Sequence, residues 1–362
     1  MDINKDINKD RIRIVDIAEQ AGVSPGTVDR VLHDRKGVSK ESKAKVEEAL
    51  RSLHYQPNMY ASALAYHRQY KFAFLLPKHQ PGDYWTDVVN GMKQAAAAFS
   101  DFKVYLEGYY YDQYESGSFI TIGEQMMQQK PDAVIMSPSN DDETRHIVSA
   151  LADMSVPYIF IDSNLSHYKP LAFFGQNAFQ SGYFAARIFC MMVEKDAQVV
   201  VFRQINDGKL GSSQQANREA GFYTFMKEYR PDVEIHELNL SVKATGDYQS
   251  VLDEFFHHNP HIKSGITFNS KAYIIGEYLL EHGMADFQLI GYDLLRRNVQ
   301  CLRSGAIDFI IAQQPTVQGY DSVECLFESL ILKKKVKECN YMPINLISID
   351  NIDFYLDMHL DV

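Results

Sequence analysis

Long apolar runs are absent from this sequence. Nowhere do eighteen consecutive apolar residues occur, so no segment reads as a membrane-crossing helix. The opening Met-Asp-Ile-Asn-Lys-Asp-Ile-Asn-Lys-Asp repeats a polar Asp-Ile-Asn-Lys unit and lacks the apolar stretch of a secretory signal. We therefore expect a disordered arm at 1–10 and a cytoplasmic location. Cysteine is scarce: Cys190, Cys301, Cys325 and Cys339 are the only four, and no two are spaced Cys-x-x-Cys. That usage suits reduced thiols and supplies no zinc motif. Gly-x-Gly-x-x-Gly and Walker A loops are missing, so no dinucleotide or nucleoside triphosphate cofactor is expected. Without a Gly-x-Ser-x-Gly elbow or another nucleophile–base set, no catalytic residue is assigned and no enzyme is expected.

Negative charge is plentiful, with a net charge of −11 over 362 residues, and it is unevenly placed. Residues 11–70 carry ten Lys/Arg against seven Asp/Glu, whereas 71–362 carry 24 against 37. A small basic module on a large acidic body fits nucleic-acid contact confined to the N-terminal part.

Within that basic module Ile14, Ile17, Ala18 and Ala21 recur at helical spacing, predicting a short helix from about Val15 to Ala21. Gly22 ends it as a glycine with positive φ would. Ser24 can cap a second helix, Pro25 suits its first position, and Val28, Val31 and Leu32 form its apolar face. Two short helices joined by Gly-Val-Ser read as a helix-turn-helix, whose second helix commonly enters the DNA major groove. A third helix, capped by Ser39, has Val46, Ala49, Leu50 and Leu53 on one face, and an Ala/Leu segment, Met59–Ala65, follows Tyr55-Gln-Pro-Asn58.

The ungapped string from Arg13 to Ala65, Asp-Ile-Ala-x-x-Ala-Gly-Val-Ser-x-x-Thr-Val-x-Arg-Val-Leu, then Val-Ser, then Tyr-x-Pro-Asn-x-x-Ala-x-x-Leu-Ala, resembles the headpiece and hinge helix of the LacI family of bacterial transcription regulators. The resemblance implies a three-helix headpiece at 11–57 and a hinge helix with linker at 58–69. It implies DNA contacts from Ser24, Pro25, Gly26, Thr27, Asp29, Arg30 and His33, and from Asn58, Ala61 and Leu64 of the hinge, with Leu64 wedged into the minor groove. Pro25 and Gly26 stand where family members often read bases, yet neither offers a side-chain hydrogen bond. Asp29 replaces a small hydroxyl residue that many members set against a phosphate. Base reading should therefore shift toward Arg30, His33 and the hinge.

From Tyr70 onward, strands alternate with helices: apolar runs such as Phe72–Leu76, Ala133–Met136 and Tyr158–Ile161 are separated by amphipathic stretches, and the cycle restarts after Ala172–Phe174. This βα array predicts parallel sheets covered by helices, in two Rossmann-like α/β lobes facing a cleft. Ligands of such sheets bind outside the carboxyl ends of the strands. Tyr109-Tyr-Tyr-Asp112 either borders that cleft or packs its lobe. His257, His258 and His261 read as a surface loop rather than a metal cluster, and Asp141-Asp-Glu143 as acids at a helix N-terminus.

The body is also similar to the periplasmic-binding-protein type 1 fold. The resemblance implies one effector-binding and dimerisation domain at 70–350, with lobe 1 at about 70–174 and 313–340, and lobe 2 at about 175–312 and 341–355. It implies ligand contacts from Tyr84, Trp85 (the only tryptophan), Asp162, Arg218, Asn269, Asp293 and Gln313. Polar side chains beside Tyr and Trp faces suit a polyol, whose hydroxyls donate and accept and whose C–H faces stack. Ser270 and Ser163 depart from the family pattern of aspartate and arginine at those positions, which leaves the hydroxyl pattern open. The expected function is a ligand-responsive repressor of carbohydrate-use genes, acting as a homodimer on a palindromic double-stranded operator. A sugar-binding protein of a transport system is the alternative.

Overall fold

In the N-terminal unit, apolar residues at helical spacing and the left-handed Gly22 account for the first two helices. The computed structural model describes residues 12–32, 36–53, 68–165, 167–206, 209–210, 212–241 and 248–357. The arm at 1–10, His33, and the hinge residues Asn58, Ala61 and Leu64 lie outside them. Residues 1–66 and 67–362 are separate compact units.

In the first unit, α1 (Ile14–Ala21) ends at Gly22, whose φ of 65° lets its N–H return to the last turn. α2 (Pro25–Leu32) follows directly. The Ser24 hydroxyl accepts from the Thr27 N–H at 3.2 Å, satisfying one of the N–H groups a helix start leaves open. α3 (Lys40–Ser52) is capped by Ser39, which accepts from Ser42 N. Ile17, Ala18 and Ala21 of α1, Val28 of α2, and Val46 and Ala49 of α3 form the buried core.

The second unit holds two sheets. Lobe 1 begins with β1 (Tyr70–Pro77), α4 (Tyr84–Ala98), β2 (Val104–Tyr111), α5 (Ser118–Gln128), β3 (Ala133–Met136), α6 (Asp141–Asp153), β4 (Tyr158–Ile161) and β5 (Ala172–Gly175). Lobe 2 follows with α7 (Ala178–Met192), β6 (Gln198–Asn206), β7 (Lys209–Leu210), α8 (Ser213–Tyr229), β8 (Glu234–Ser241), α9 (Tyr248–His258), β9 (Ser264–Thr267), α10 (Tyr273–Glu281), β10 (Gln288–Tyr292), α11 (Arg296–Arg303) and β11 (Phe309–Ala312). The chain returns to lobe 1 as α12 (Pro315–Leu330) and β12 (Cys339–Tyr341), and to lobe 2 as β13 (Asn345–Ile347) and α13 (Ile352–Asp357).

The lobe 1 sheet runs β12-β5-β4-β3-β1-β2, and the lobe 2 sheet β13-β11-β10-β9-β6-β7 with β8 on β6. All pairings in the first are parallel, and in the second only β7 and β13 are antiparallel. Helices cover both faces, so Ala-Val-Ile-Met and Tyr-Ile-Phe-Ile are buried along their whole length as β3 and β4.

Gly175 and Tyr341, expected at the start of lobe 2 segments, are instead the last residues of lobe 1 strands. The reason is backbone pairing: β5 and β12 run side by side from Phe173–Cys339 to Gly175–Tyr341, and the Gly175 carbonyl still accepts from Met342 N at 3.0 Å. The three crossings between lobes converge on Gln176, which is 2% exposed. Its amide donates to the carbonyls of Ala312 and Pro343 at 2.9 and 2.7 Å, while its own oxygen accepts from Ser181 Oγ at 3.2 Å.

Each lobe also has one very close helix crossing. A Cβ on Gly91 or Gly319 would meet the backbone carbonyl of Thr316 or Val88 at about 2 Å, bringing α4 onto α12. Gly182 and Gly221 do the same for α7 and α8, against the carbonyls of Arg218 and Phe179. No side chain fits between these backbones.

Of two smaller expectations, one holds and one is corrected. Behind its Asn140 cap, α6 opens with the expected acids Asp141, Asp142 and Glu143, and Glu143 has a further role. It is buried, and its carboxylate accepts from Gly117 N at 2.8 Å and Ser139 Oγ at 3.0 Å, tying two loops together. His257 and His258 close the last turn of α9 rather than lying in a loop. Their ring contact is with each other, while His261 bonds Gln198. Among the described residues no three His, Cys, Asp or Glu side chains converge on a metal position.

Candidate functional site

On the headpiece, the solvent-facing side of α2 presents the expected DNA contacts. Ser24, Pro25, Gly26 and Arg30 are exposed, Thr27 and Asp29 are half-buried, and Val28 points into the core. The Ser24 and Thr27 hydroxyls lie 3.0 Å apart. Arg30 is the one Lys or Arg in α2.

In the body, a cleft of about 400 Å³ opens between the lobes, and all seven residues proposed from sequence line it: Tyr84, Trp85, Asp162, Arg218, Asn269, Asp293 and Gln313. The architecture explains the convergence. β4 and β10 occupy corresponding places in their sheets, each ending in an aspartate at the lobe-facing edge. Asp162 and Asp293 both adopt left-handed backbone, with φ of 66° and 68°, which aspartate tolerates better than most side chains. Each also donates its N–H to the next strand, to Phe174 O at 2.8 Å and Ile311 O at 3.1 Å. The turn that each makes directs a carboxylate into the cleft instead of extending the strand.

Both carboxylates are more than nine-tenths buried, and burial dominates their electrostatics. It pushes the Asp162 carboxyl up to about 6; Asp293 adds to the shift, while Arg218, the Gln214 amide and the Tyr84 hydroxyl offset part of it. Asp293 is likewise raised by burial, against Arg218 and its 2.8 Å hydrogen bond from Gln313 Nε2. Asn298, fully buried, holds the backbone around Asp293: its amide donates to the carbonyls of Ser270, Tyr292 and Asp293, and its oxygen accepts from Tyr273 N.

Arg218 is placed by the α7–α8 crossing and is 3% exposed. Its Nη1 donates to Phe268 O at 3.0 Å, and its guanidinium lies 4.2 Å from the centre of the Tyr292 ring. Glu219, the next residue in the chain, is held by Arg203 and Gln215. Nε and Nη2 of Arg218 and Oε1 of Gln313 are buried with no hydrogen-bond partner among the described residues. Buried polar groups left this way are costly unless something else pairs them.

Tyr84 is buried and donates to Gln318 Oε1 at 3.3 Å, with its ring edge-on to Trp85 at 5.2 Å. Burial raises its hydroxyl well above the usual range. Asn269 reaches the cleft wall, but its amide is already used inside its own loop, donating to Thr267 Oγ1 and accepting from Lys271 N.

Sequence reasoning missed several lining residues. Lys78 directly follows β1, Gln204 lies near the end of β6, and Gln214 and Gln215 sit in the first turn of α8. The strand-end rule applied to every strand would have found the first two. The Gln214 amide donates across the cleft to the Asp162 carbonyl, and Ser213 Oγ donates to Ser163 Oγ at 3.1 Å, so the lobes touch at this edge. Ser163 thus serves the lobe contact. Asp112 of the Tyr-rich stretch lines the cleft, whereas Tyr111 is buried against Phe119.

Fold and cleft define a two-lobed ligand-binding body, and the periplasmic binding protein domain family matches residues 72–335. Residues 13–58 match the bacterial regulatory proteins of the lacI family. A solved structure described as a LacI transcriptional regulator from Bacteroides fragilis is 47% identical, with a TM-score of 0.78 over 80% of this chain and 100% of that one. The chain therefore belongs to the lacI family of ligand-responsive, DNA-binding transcription regulators, and it is not an enzyme. The HTH-type transcriptional regulator MalR of Streptococcus pneumoniae is 23% identical over 297 residues, covering 78% of this chain and 83% of its own. GanP, a glucose-galactose binding protein from Geobacillus stearothermophilus, shares the fold of the body at 19% identity and a TM-score of 0.68, over 79% of this chain and 99% of its own. The headpiece match sets this chain apart from a plain transport binding protein. Among the described residues no helix is long and apolar enough to cross a membrane.

Proposed function

We propose that this regulator is a cytoplasmic repressor that binds a two-fold symmetric operator as a homodimer and responds to a sugar or sugar derivative in the interlobe cleft. One α2 per half-site would lie in the major groove, with Ser24 and Thr27 toward phosphates and Arg30 on a phosphate or a guanine edge. Pro25, Gly26 and Asp29 would line the DNA without the family's usual base contacts. His33, Asn58, Ala61 and Leu64 would add contacts from segments outside the described residues.

The observation that carries the ligand reading is the set of buried polar groups lining the cleft, in which Arg218 Nε and Nη2 and Gln313 Oε1 have no partner among the described residues. Two carboxylates accept from hydroxyls, Arg218 offers two donors, Gln313 an acceptor, and Tyr84 and Trp85 an apolar wall. A polyol matches such a mixture, whereas a purely anionic or purely apolar ligand leaves half of it unpaired. Because both lobes contribute, ligand changes the balance between lobe arrangements only if it binds them unequally.

Thermal-shift measurements of the whole chain against neutral sugars and sugar acids, with operator selection from random DNA, test this. The expected result is a sugar-dependent shift lost in both Asp293→Ala and Arg218→Ala, and a symmetric DNA site whose recognition disappears when residues 1–66 are removed. An undiminished shift in both variants sinks the cleft assignment. Sequence-specific DNA binding by 67–362 sinks the headpiece assignment.

A further inference from the structure

Behind the cleft, on the side of the lobe crossings, lies a second pocket of about 300 Å³. Its floor is apolar: Leu294, Pro315, Val317, Tyr355 and Leu356. It shares Tyr84, Asp293 and Gln313 with the cleft, so those three side chains form the partition between the two spaces. Val317 belongs to α12 of lobe 1, whereas Leu294 follows β10 and Leu356 lies in α13, both in lobe 2. A group held here touches both lobes next to the crossing at 312–315.

Two polar features point to what the pocket accepts. Asp87, half-buried on α4, lines it, and no partner for its carboxylate is found among the described residues. Burial raises that carboxyl above its usual value. Gln313, 5% exposed, uses its amide on Asp293 and leaves Oε1 buried and unpaired. Both are acceptors, in a setting whose remaining surface is largely apolar. A ligand group that only accepts, or carries negative charge, would meet them unfavourably. An apolar body bearing a hydroxyl or amine would satisfy both the surface and the acceptors.

We infer that this pocket is a second compartment of the effector site, taking an apolar, ring-sized group that carries a hydrogen-bond donor and is joined to the sugar in the cleft. The inference rests on the sugar reading of the cleft and adds to it that the effector is a substituted sugar rather than a free monosaccharide. The partition residues would then contact the junction, and the substituent would brace lobe 1 against lobe 2 at the crossing.

The test is calorimetry of the whole chain with the methyl, phenyl and 4-hydroxyphenyl β-glycosides of glucose, galactose and xylose, alongside free 4-hydroxybenzyl alcohol. The expected order is 4-hydroxyphenyl tighter than phenyl, and both at least tenfold tighter than methyl for the sugar that binds. Val317→Phe, which fills the pocket, should abolish the advantage of the aryl glycosides and leave the methyl glycoside unchanged. Asp87→Ala should remove only the difference between 4-hydroxyphenyl and phenyl. Aryl glycosides no tighter than methyl, or an aryl preference that survives Val317→Phe, overturns the inference. If no glycoside binds, the sugar reading itself fails. The free alcohol then decides the pocket: binding that Val317→Phe abolishes retains it as an apolar, donor-selective site, and no binding overturns it.

Discussion

Asp162 carries the clearest single-residue consequence. Its carboxyl stands at about 6 in the folded chain against an ordinary 3.8, so the folded state holds the proton more tightly than the unfolded chain does. Below about pH 4 both states are protonated and the residue costs nothing. The cost grows as pH rises from about 4, where the unfolded chain ionises first, and levels off above about 6, where the folded state carries the buried charge, at about 3 kcal/mol. Asp162→Asn keeps the hydrogen-bonding shape and tolerates the same left-handed backbone. In the ligand-free protein it should raise the thermal midpoint at pH 8 and leave it unchanged at pH 3.5. Equal midpoints for the two proteins at pH 8 would rule out a buried, ionised Asp162. Ligand binding should run the other way. A hydroxyl donor pairs with the carboxylate, so wild-type affinity for the effector should rise between pH 5 and 7, and the Asn variant should lose that slope.

Among elements, the α7–α8 pair decides where Arg218 stands. The Arg218 carbonyl lies 1.8 Å from where a Cβ on Gly182 would sit, so Gly182→Ala must push α8 outward, at a typical overpacking cost of about 1–3 kcal/mol. We expect a lower thermal midpoint and a weaker ligand shift together, because displacing α8 also moves the guanidinium off Phe268 O. A variant that loses stability but keeps full ligand affinity would show that Arg218 does not depend on this crossing. In the headpiece, a Cβ on Gly22 would point into open space, but the φ there is 65°, so Gly22→Val is disfavoured by backbone conformation alone. It should cost about 1–2 kcal/mol and weaken operator binding, with the ligand shift of the body unchanged.

For the whole molecule, Gln176 is where the three crossings are pinned together. Gln176→Ala leaves two carbonyls without their donor, at about 1–3 kcal/mol, and loosens the joint about which the lobes would turn. Its expected signature is an altered ratio of operator affinity with and without effector, measured by fluorescence anisotropy, while effector-free DNA affinity stays close to wild type. An unchanged ratio would mean that the crossings respond as a unit without this side chain.

Much was legible in the chain because it is local. The helix-turn-helix follows from Ile, Ala and Val spacing around Gly22 and Ser24, and the βα array from short apolar runs between amphipathic stretches. Those patterns are set by residues three or four positions apart, or by alternation along a single strand. The strand-end aspartates were legible too, since parallel sheets gather their carboxyl ends on one side. What no local pattern contains is contact between residues far apart. Gln176 meeting Ala312 and Pro343, Gly182 meeting Arg218, Gln214 reaching Asp162 and the pocket behind Gln313 all join distant segments. They depend on how two sheets and their crossings close on one another. The identity of each element was therefore written in short-range spacing, and the placement, burial and unpaired state of the groups in the cleft were decided only by tertiary packing.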